Sequence, residues 1–147
     1  MKCFCWAFRG LVRVVREEQN MRIHLCFAFY VVIAGIVTEL DPSEWCAALA
    51  FCGLVLGLEC LNTALERLCD KVRPEWDARI GFAKDAAAAG VLAAAVCAAV
   101  GGCILFFSEG RPRLALEFAK EKPAAAVIIV LTLPLWIYCI VRRSEKR

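Results

Sequence analysis

Four long apolar stretches constrain this chain more than any other feature of its sequence. They cover residues 23–40, 45–64, 86–107 and 123–141, and the last two contain no charged residue. A helix needs about 20 apolar residues to cross a hydrocarbon core about 30 Å thick. With 61% hydrophobic residues and a mean hydropathy of +0.64, a soluble domain of 147 residues could not bury this much apolar surface. We therefore predict an all-α integral membrane helical bundle, with three core transmembrane helices and a fourth at the C-terminal end.

The segments between these stretches give the predicted organisation of the chain. We expect an amphipathic surface helix at 1–22, a three-helix transmembrane core at 23–107, a loop at 108–122, and an additional hydrophobic segment with a basic tail at 123–147. In the first segment, apolar side chains recur at helical spacing on one side and arginines on the other, which is typical of a helix in the membrane interface. An amphipathic helix packed against the spans fits the same pattern. The apolar set is Phe4, Phe8, Leu11 and Val15, and the basic set is Arg9, Arg13 and Arg16.

Lysine and arginine are distributed unevenly between the two ends of the predicted spans. With the N-terminus inside, fourteen of the 18 basic residues fall on the cytoplasmic side, in 1–22, 67–85 and 142–147. The reverse orientation would place most of them outside, against the positive-inside rule. We therefore predict a multi-pass protein with both termini on the cytoplasmic side. The ten cysteines fall mostly within apolar runs, and we interpret them mainly as packing thiols.

Three carboxylates and an amide share one face of the second stretch. At 100° per residue, Glu59, Asn62, Glu66 and Asp70 fall within an arc of about 80°. A carboxylate within a membrane span costs about 3 kcal/mol even on generous insertion scales, so it should face a partner, an ion or water. A purely structural stripe, paired with basic side chains to hold helices together, is the alternative. We favour a functional stripe because intramembrane charges of this kind usually mark substrate or ion sites.

A second polar cluster stands where the third stretch enters the membrane. Lys84 and Asp85 follow Asp70 across a loop interrupted by Pro74. A hairpin of this length returns Lys84 to the face and depth of Asp70 and Glu66. A lone lysine at a helix start is usually an interface anchor. Opposite three carboxylates, Lys84 is better interpreted as a phosphate ligand, with Asp85 orienting it or binding nucleotide.

This set of residue types suits phosphoryl transfer, which depends on charge neutralisation and in-line positioning. Glu17 and Glu18, just before the first span, could join Glu66 in a magnesium site of oxygen ligands. Lys84 would stabilise developing negative charge, and a carboxylate would take the proton of the attacking hydroxyl. The sequence contains no Gly-x-x-x-x-Gly-Lys-Ser/Thr motif and no kinase-type glycine-rich loop. The depth of Glu59 favours a lipid hydroxyl as the acceptor.

The combined motif closely resembles that of the small bacterial diacylglycerol kinase and undecaprenol kinase family, over about residues 4–107. The resemblance implies a homotrimer of three-span subunits in the bacterial cell membrane, with active sites at subunit contacts. It also implies MgATP as the donor and a membrane alcohol as the acceptor. The motif consists of Glu59-x-x-Asn62-Thr63-Ala64-x-Glu66-x-x-x-Asp70 and Ala83-Lys84-Asp85.

By matching position, the resemblance implies that Glu59 is the catalytic base and that Glu18 and Glu66 are the metal ligands. It further implies a nucleotide site on the cytoplasmic side. The residues of that site would be Glu18, Asn62, Glu66, Asp70, Glu75, Trp76, Lys84 and Asp85.

The sequence also bears on the acceptor lipid and on functions of other classes. The segment Asn20-Met-Arg-Ile-His24 is similar to the Gram-positive branch of the family, which makes undecaprenol the first choice and diacylglycerol the second. His24 itself is expected to be structural. A small ion or proton transporter and a non-catalytic interaction protein are the alternatives from other classes. No nucleic acid partner is expected.

Overall fold

The computed structural model describes residues 2–73, 75, 77–108 and 110–141. All regular elements in these ranges are α-helices, which confirms the predicted all-α class. They are α1 (Lys2–Glu17), α2 (Gln19–Val37), α3 (Pro42–Val72), α4 (Ala78–Phe107), α5 (Arg111–Glu121) and α6 (Pro123–Val141).

Four of these helices, α2, α3, α4 and α6, are long and apolar enough to cross a membrane. They correspond to the four apolar stretches of the sequence. The longest, α3, has 31 residues and is therefore about 46 Å long, more than the hydrocarbon core requires. The end of α3 with Glu66 and Asp70 thus remains helical beyond its apolar part. This keeps the whole polar stripe on one continuous helix.

Acidic N-caps begin the two longest helices. Asp41 accepts hydrogen bonds from the backbone N–H groups of Ser43 and Glu44, and the Glu44 side chain accepts one from the Asp41 backbone, which completes a capping box. Glu39, at φ 54°, provides the left-handed residue that turns the chain between α2 and α3. The Asp77 side chain likewise accepts hydrogen bonds from the backbone N–H groups of Arg79 and Ile80 at the start of α4. These caps fix the two hairpins that place α2, α3 and α4 side by side.

The core of the bundle is built from α2, α3 and α4. The most extensive packing is between α3 and α4, followed by that between α2 and α3. A Cβ atom on Gly101 would lie 3.1 Å from Cε2 of Phe51, and one on Gly35 would lie 2.8 Å from Cη2 of Trp45. Small residues let helices approach closely in lipid, where no hydrophobic force drives them together. A side chain at Gly35 would therefore displace the Trp45 ring, and one at Gly101 would press against the Phe51 ring.

The chain beyond α4 differs from the sequence prediction in one respect. Residues 108–122, expected to form a loop, contain the 11-residue helix α5. Pro112 in its first turn is pre-organised for a helix, and the following Leu, Ala, Glu and Lys residues are good helix formers. Buried Arg111 pairs with Glu44 and so attaches α5 to the start of α3.

Helix α6 packs against α2 through a few specific contacts. The hydroxyl groups of Tyr30 and Thr132 are 2.7 Å apart, and the ring centroids of Phe29 and Trp136 are 5.7 Å apart. No residue of α6 is buried within the chain, as expected of a helix whose remaining faces meet lipid. The basic tail, 142–147, lies outside the described residues.

Candidate active site

Most polar side chains of the predicted site lie at the end of the bundle where α1 and α3 end and α2 and α4 begin. We call it the carboxylate end. Glu59 and Asn62 are 3% and 7% exposed, so both are buried in the interior of the chain. Glu66 follows Glu59 by two turns of α3, and Glu18, at the N-cap position of α2, lies at the same end of the bundle. The site therefore combines side chains from α3 with one from the α1–α2 junction.

Asn62 is hydrogen-bonded to Glu66, one turn further along the polar stripe of α3. Its Nδ2 donates a hydrogen bond to Oε1 of Glu66 at 3.0 Å, as the i, i+4 spacing allows. Its Oδ1 is also buried, and no donor reaches it among the described residues. A buried acceptor without a donor is costly. This oxygen is thus well suited to accept a hydrogen bond from a bound molecule.

The α3–α4 hairpin brings Lys84 back onto the stripe. Nζ of Lys84 donates to Oδ1 of Asp70 at 2.8 Å, and the charge of Glu66 also acts on Lys84. The sequence prediction placed these three side chains together. Asp85 is exposed one residue further along α4, and Glu75 is exposed in the bend between the helices. Neither belongs to the contacts just described, and Trp76 lies outside the described residues.

A cluster that the sequence prediction missed joins α1 to α3. Nη2 of Arg67 donates to Oε1 of Glu18 at 3.0 Å and also pairs with Oε2 of Glu17. Oε1 of Glu17 accepts a second hydrogen bond, 2.8 Å long, from Nε of Arg13. The Arg13 hydrogen bond, reinforced by Arg67, lowers the pKa of Glu17 below its ordinary value. The available signal was charge complementarity, since Arg67 follows Glu66 directly and two glutamates end α1.

Glu59 and Asn62 also line a cavity of about 210 Å³ between α2, α3 and α4. Its other polar lining comes from Asn20 and His24 of α2, one turn apart. His24, expected to be structural, therefore shares a cavity with the predicted base. The α4 wall of the cavity is apolar and consists of Ala88, Val91, Leu92 and Ala95. An apolar pocket with a few convergent polar groups is the usual form of a small-molecule site.

The donor set at the carboxylate end suits magnesium that arrives with a nucleotide. No group of three or more His, Cys, Asp or Glu side chains that could hold a metal ion occurs in the described ranges. Mg²⁺ is usually bound through one or two carboxylates, with water and substrate phosphates as the other ligands. Glu18, at the α1–α2 junction, and Glu66, on α3, offer such hard oxygen donors. They fit a shared nucleotide–metal site and not a dedicated metal cage.

Comparison with known proteins identifies the family of this chain. Residues 5–106 match the family described as prokaryotic diacylglycerol kinase. The chain is 35% identical to an undecaprenol kinase of Bacillus subtilis (strain 168) over 108 residues, which is 74% of this chain and 88% of the relative. It is 40% identical to a diacylglycerol kinase of Escherichia coli (strain K12) over 109 residues, 74% of this chain and 89% of the relative.

A third relative, a diacylglycerol kinase of Synechocystis sp. (strain ATCC 27184 / PCC 6803 / Kazusa), is 38% identical over 69% of this chain and 59% of its own length. No solved structure matches the chain. The match ends at residue 106, so α5 and α6 lie beyond the shared region. The matched region contains the entire carboxylate end. This chain belongs to the prokaryotic diacylglycerol kinase family and is an ATP-using lipid kinase of a membrane.

Proposed function

We propose that this lipid kinase transfers the γ-phosphate of ATP to the hydroxyl of undecaprenol, giving undecaprenyl phosphate. The observation that carries the proposal is the cavity of Glu59, which lies between membrane helices and whose α4 wall begins at Ala88, one helical turn from Lys84. A relative named undecaprenol kinase shares 35% of the aligned residues. In addition, Asn20 and His24, which gave the resemblance to the Gram-positive branch, both line this cavity. Diacylglycerol is the second candidate because two of the relatives are named diacylglycerol kinase.

Glu59 is proposed as the general base. Its carboxylate would take the proton of the lipid hydroxyl while the hydroxyl oxygen forms its bond to the γ-phosphorus. The bond from that phosphorus to the bridging oxygen breaks, and ADP leaves. Oδ1 of Asn62, which meets no donor among the described residues, is available to accept a hydrogen bond beside the base. Lys84, now paired with Asp70, would neutralise charge on the transferred phosphoryl group.

The remaining site residues are proposed to hold the nucleotide and its metal. Glu18 and Glu66 would bind Mg²⁺, which supplies charge neutralisation at the phosphate oxygens. Asn62 orients Glu66 through the 3.0 Å hydrogen bond between them. The proposed nucleotide-binding residues are Glu18, Asn62, Glu66, Asp70, Glu75, Trp76, Lys84 and Asp85.

The assembly and its orientation are proposed on physical grounds. The cavity of about 210 Å³ is smaller than the about 300 Å³ at which small-molecule sites begin, so this cavity alone would not hold both substrates. A neighbouring subunit would complete each site, and the family resemblance implies that the assembly is a homotrimer. The distribution of lysine and arginine supports a cytoplasmic carboxylate end. Membership in a kinase family, for its part, disfavours the ion transporter alternative.

The test is a radiolabelled-ATP assay on the purified full chain in lipid nanodiscs, with undecaprenol and diacylglycerol offered in parallel. We expect Mg²⁺-dependent label mainly in undecaprenyl phosphate. Label only in phosphatidic acid would replace undecaprenol by diacylglycerol as the acceptor. Absence of label in both lipids, with protein that remains folded and helical by circular dichroism, would refute the proposed reaction.

A further inference from the structure

Arg67 occupies the carboxylates at the α1–α2 junction, and the mechanism proposed above does not use it. Its Nη2 atom contacts Oε1 of Glu18 at 3.0 Å and also pairs with Oε2 of Glu17. The side chain is 44% exposed, while the two glutamate side chains are about one-third exposed. The guanidinium is therefore held by charge at a partly open site and is not packed into the core.

The contact with Glu18 matters because Glu18 is a proposed magnesium ligand. A guanidinium and a divalent cation at the same carboxylate repel each other, and only one of them can make full use of its oxygens. We propose that Arg67 is an internal competitor for the magnesium ion, holding Glu18 in the metal-free enzyme and leaving it when the metal binds. This inference rests on the metal site of the proposed function.

Arg67 has a second partner that it can keep when it releases Glu18. One nitrogen atom serves both glutamates, so releasing Glu18 leaves the pair with Glu17 intact. Glu17 ends α1 and is also held by Arg13 at 2.8 Å, which keeps it in position for this second role. Metal binding therefore requires Arg67 to release Glu18 but not Glu17.

The consequence is a site that takes up metal weakly until a nucleotide is present. Without nucleotide, the guanidinium already neutralises the acidic pair, and a free metal ion gains little by displacing it. With nucleotide, the phosphates supply further oxygen ligands and favour the metal. Arg67 thus couples metal loading to nucleotide binding.

The test measures Mn²⁺ binding to the full chain in nanodiscs without nucleotide, by the loss of the free-ion electron paramagnetic resonance signal. We expect Arg67→Gln to bind Mn²⁺ about three- to tenfold more tightly than the unmodified protein, the range that one or two partly exposed ion pairs supply. Arg13→Gln is the matched control: it removes the same charge from the same acidic pair, but the one carboxylate that Arg13 contacts within the described ranges is that of Glu17. It should change the affinity less than about twofold, and added salt should shrink the Arg67 effect.

Equal or weaker Mn²⁺ binding by Arg67→Gln overturns the inference, as does an equal gain in Arg13→Gln, since that would be a general charge effect. If Arg67→Gln does not fold, Arg67→Lys provides the same test. It keeps the charge, but an ammonium is more strongly hydrated than a guanidinium and should hold Glu18 less tightly, so Mn²⁺ should again bind more tightly than to the unmodified protein.

The lipid assay separates this inference from the proposed function. Label in a lipid together with unchanged Mn²⁺ affinity in Arg67→Gln overturns the competition alone. Tighter Mn²⁺ binding in Arg67→Gln without any lipid labelling by the unmodified chain supports the competition and refutes the reaction.

Discussion

The family core, α1–α4, and the C-terminal addition, α5–α6, use polar side chains in different ways. In the core, Glu59 and Asn62 are buried around a cavity, and one oxygen of Asn62 has no donor among the described residues. In the addition, the polar side chains join helices: Arg111 pairs with Glu44, although its Nη1 meets no acceptor among the described residues, and Thr132 meets Tyr30 of α2. The buried polar groups of the core line a cavity that a substrate could enter, whereas those of the addition form contacts between helices. We therefore expect catalysis in the core and attachment in the addition.

The largest effect should follow a change at the base. Glu59→Gln is nearly isosteric and cannot accept a proton, so we expect kcat to fall by about a hundred- to ten-thousandfold. The measurement is the radiolabelled-ATP assay, with circular dichroism as the check that the helices are retained. Near-normal turnover in this variant would remove Glu59 from its assigned role and weaken the contrast between the two regions.

Lys84→Met should have the next largest effect. It keeps the length and apolar stem of the side chain but removes the charge that pairs with Asp70. Because electrostatic stabilisation of transferring phosphate depends on such charges, we expect kcat/KM for ATP to fall about ten- to a hundredfold. Arg79→Met, in the first turn of the same helix, is the control and should change kcat/KM less than about threefold. Equal losses in the two variants would assign Lys84 only a general surface charge.

Glu66→Gln should act through the metal. It removes a proposed ligand and changes the partner of Asn62, so the Mg²⁺ concentration for half-maximal rate should rise at least about tenfold. Excess Mg²⁺ should restore much of the rate, which distinguishes this variant from the one at the base. The matched change in the addition is Glu117→Gln on α5, whose carboxylate pairs with exposed Arg113. An unchanged Mg²⁺ requirement in Glu66→Gln would contradict its role as a ligand.

The smallest effect on the rate is expected in the addition. Arg111→Met breaks the buried pair with Glu44 and should lower the stability of the docked helices by about 3 kcal/mol. The rate with saturating substrates should remain within about twofold of normal. The two measurements are thermal aggregation in detergent and the lipid assay at a temperature where both proteins are folded. A rate loss comparable to that of Lys84→Met would show that the addition takes part in catalysis.

The apolar length of the spans and the polar stripe were predictable from the sequence. Both depend on local periodicity: 18 or more apolar residues imply a span, and 100° per residue places Glu59 and Asp70 on one face. The hairpin contact between Lys84 and Asp70 also followed, because only a short connection separates them. The roles of these side chains remain predictions, since geometry alone does not identify a base or a ligand.

The Arg67 cluster and the cavity lining could not be predicted, because they depend on contacts between distant parts of the chain. Arg67 and Glu18 are 49 residues apart, and no periodic pattern connects them. α2 begins at Gln19, four residues before the predicted span, because hydropathy does not register a polar first turn. For the same reason Asn20 appeared only as part of a family resemblance, and its place in the Glu59 cavity emerged from the packing of three helices.

Because α3 is one unbroken helix, it fixes the distance between the polar side chains along it. Glu59 and Asp70 are separated by 11 residues, hence by about 16 Å along a rigid axis, and neither can change its depth without the other. The plane in which lipid hydroxyls lie is instead set by the surrounding bilayer. In a membrane thinner by one helical turn, about 5.4 Å, the plane of the lipid hydroxyls would no longer lie at the depth of Glu59. Asp70 and the proposed nucleotide site would still be in water. The turnover of this kinase should therefore depend on the acyl-chain length of the host lipids. It should be highest where the bilayer thickness places the lipid hydroxyls at the depth of Glu59.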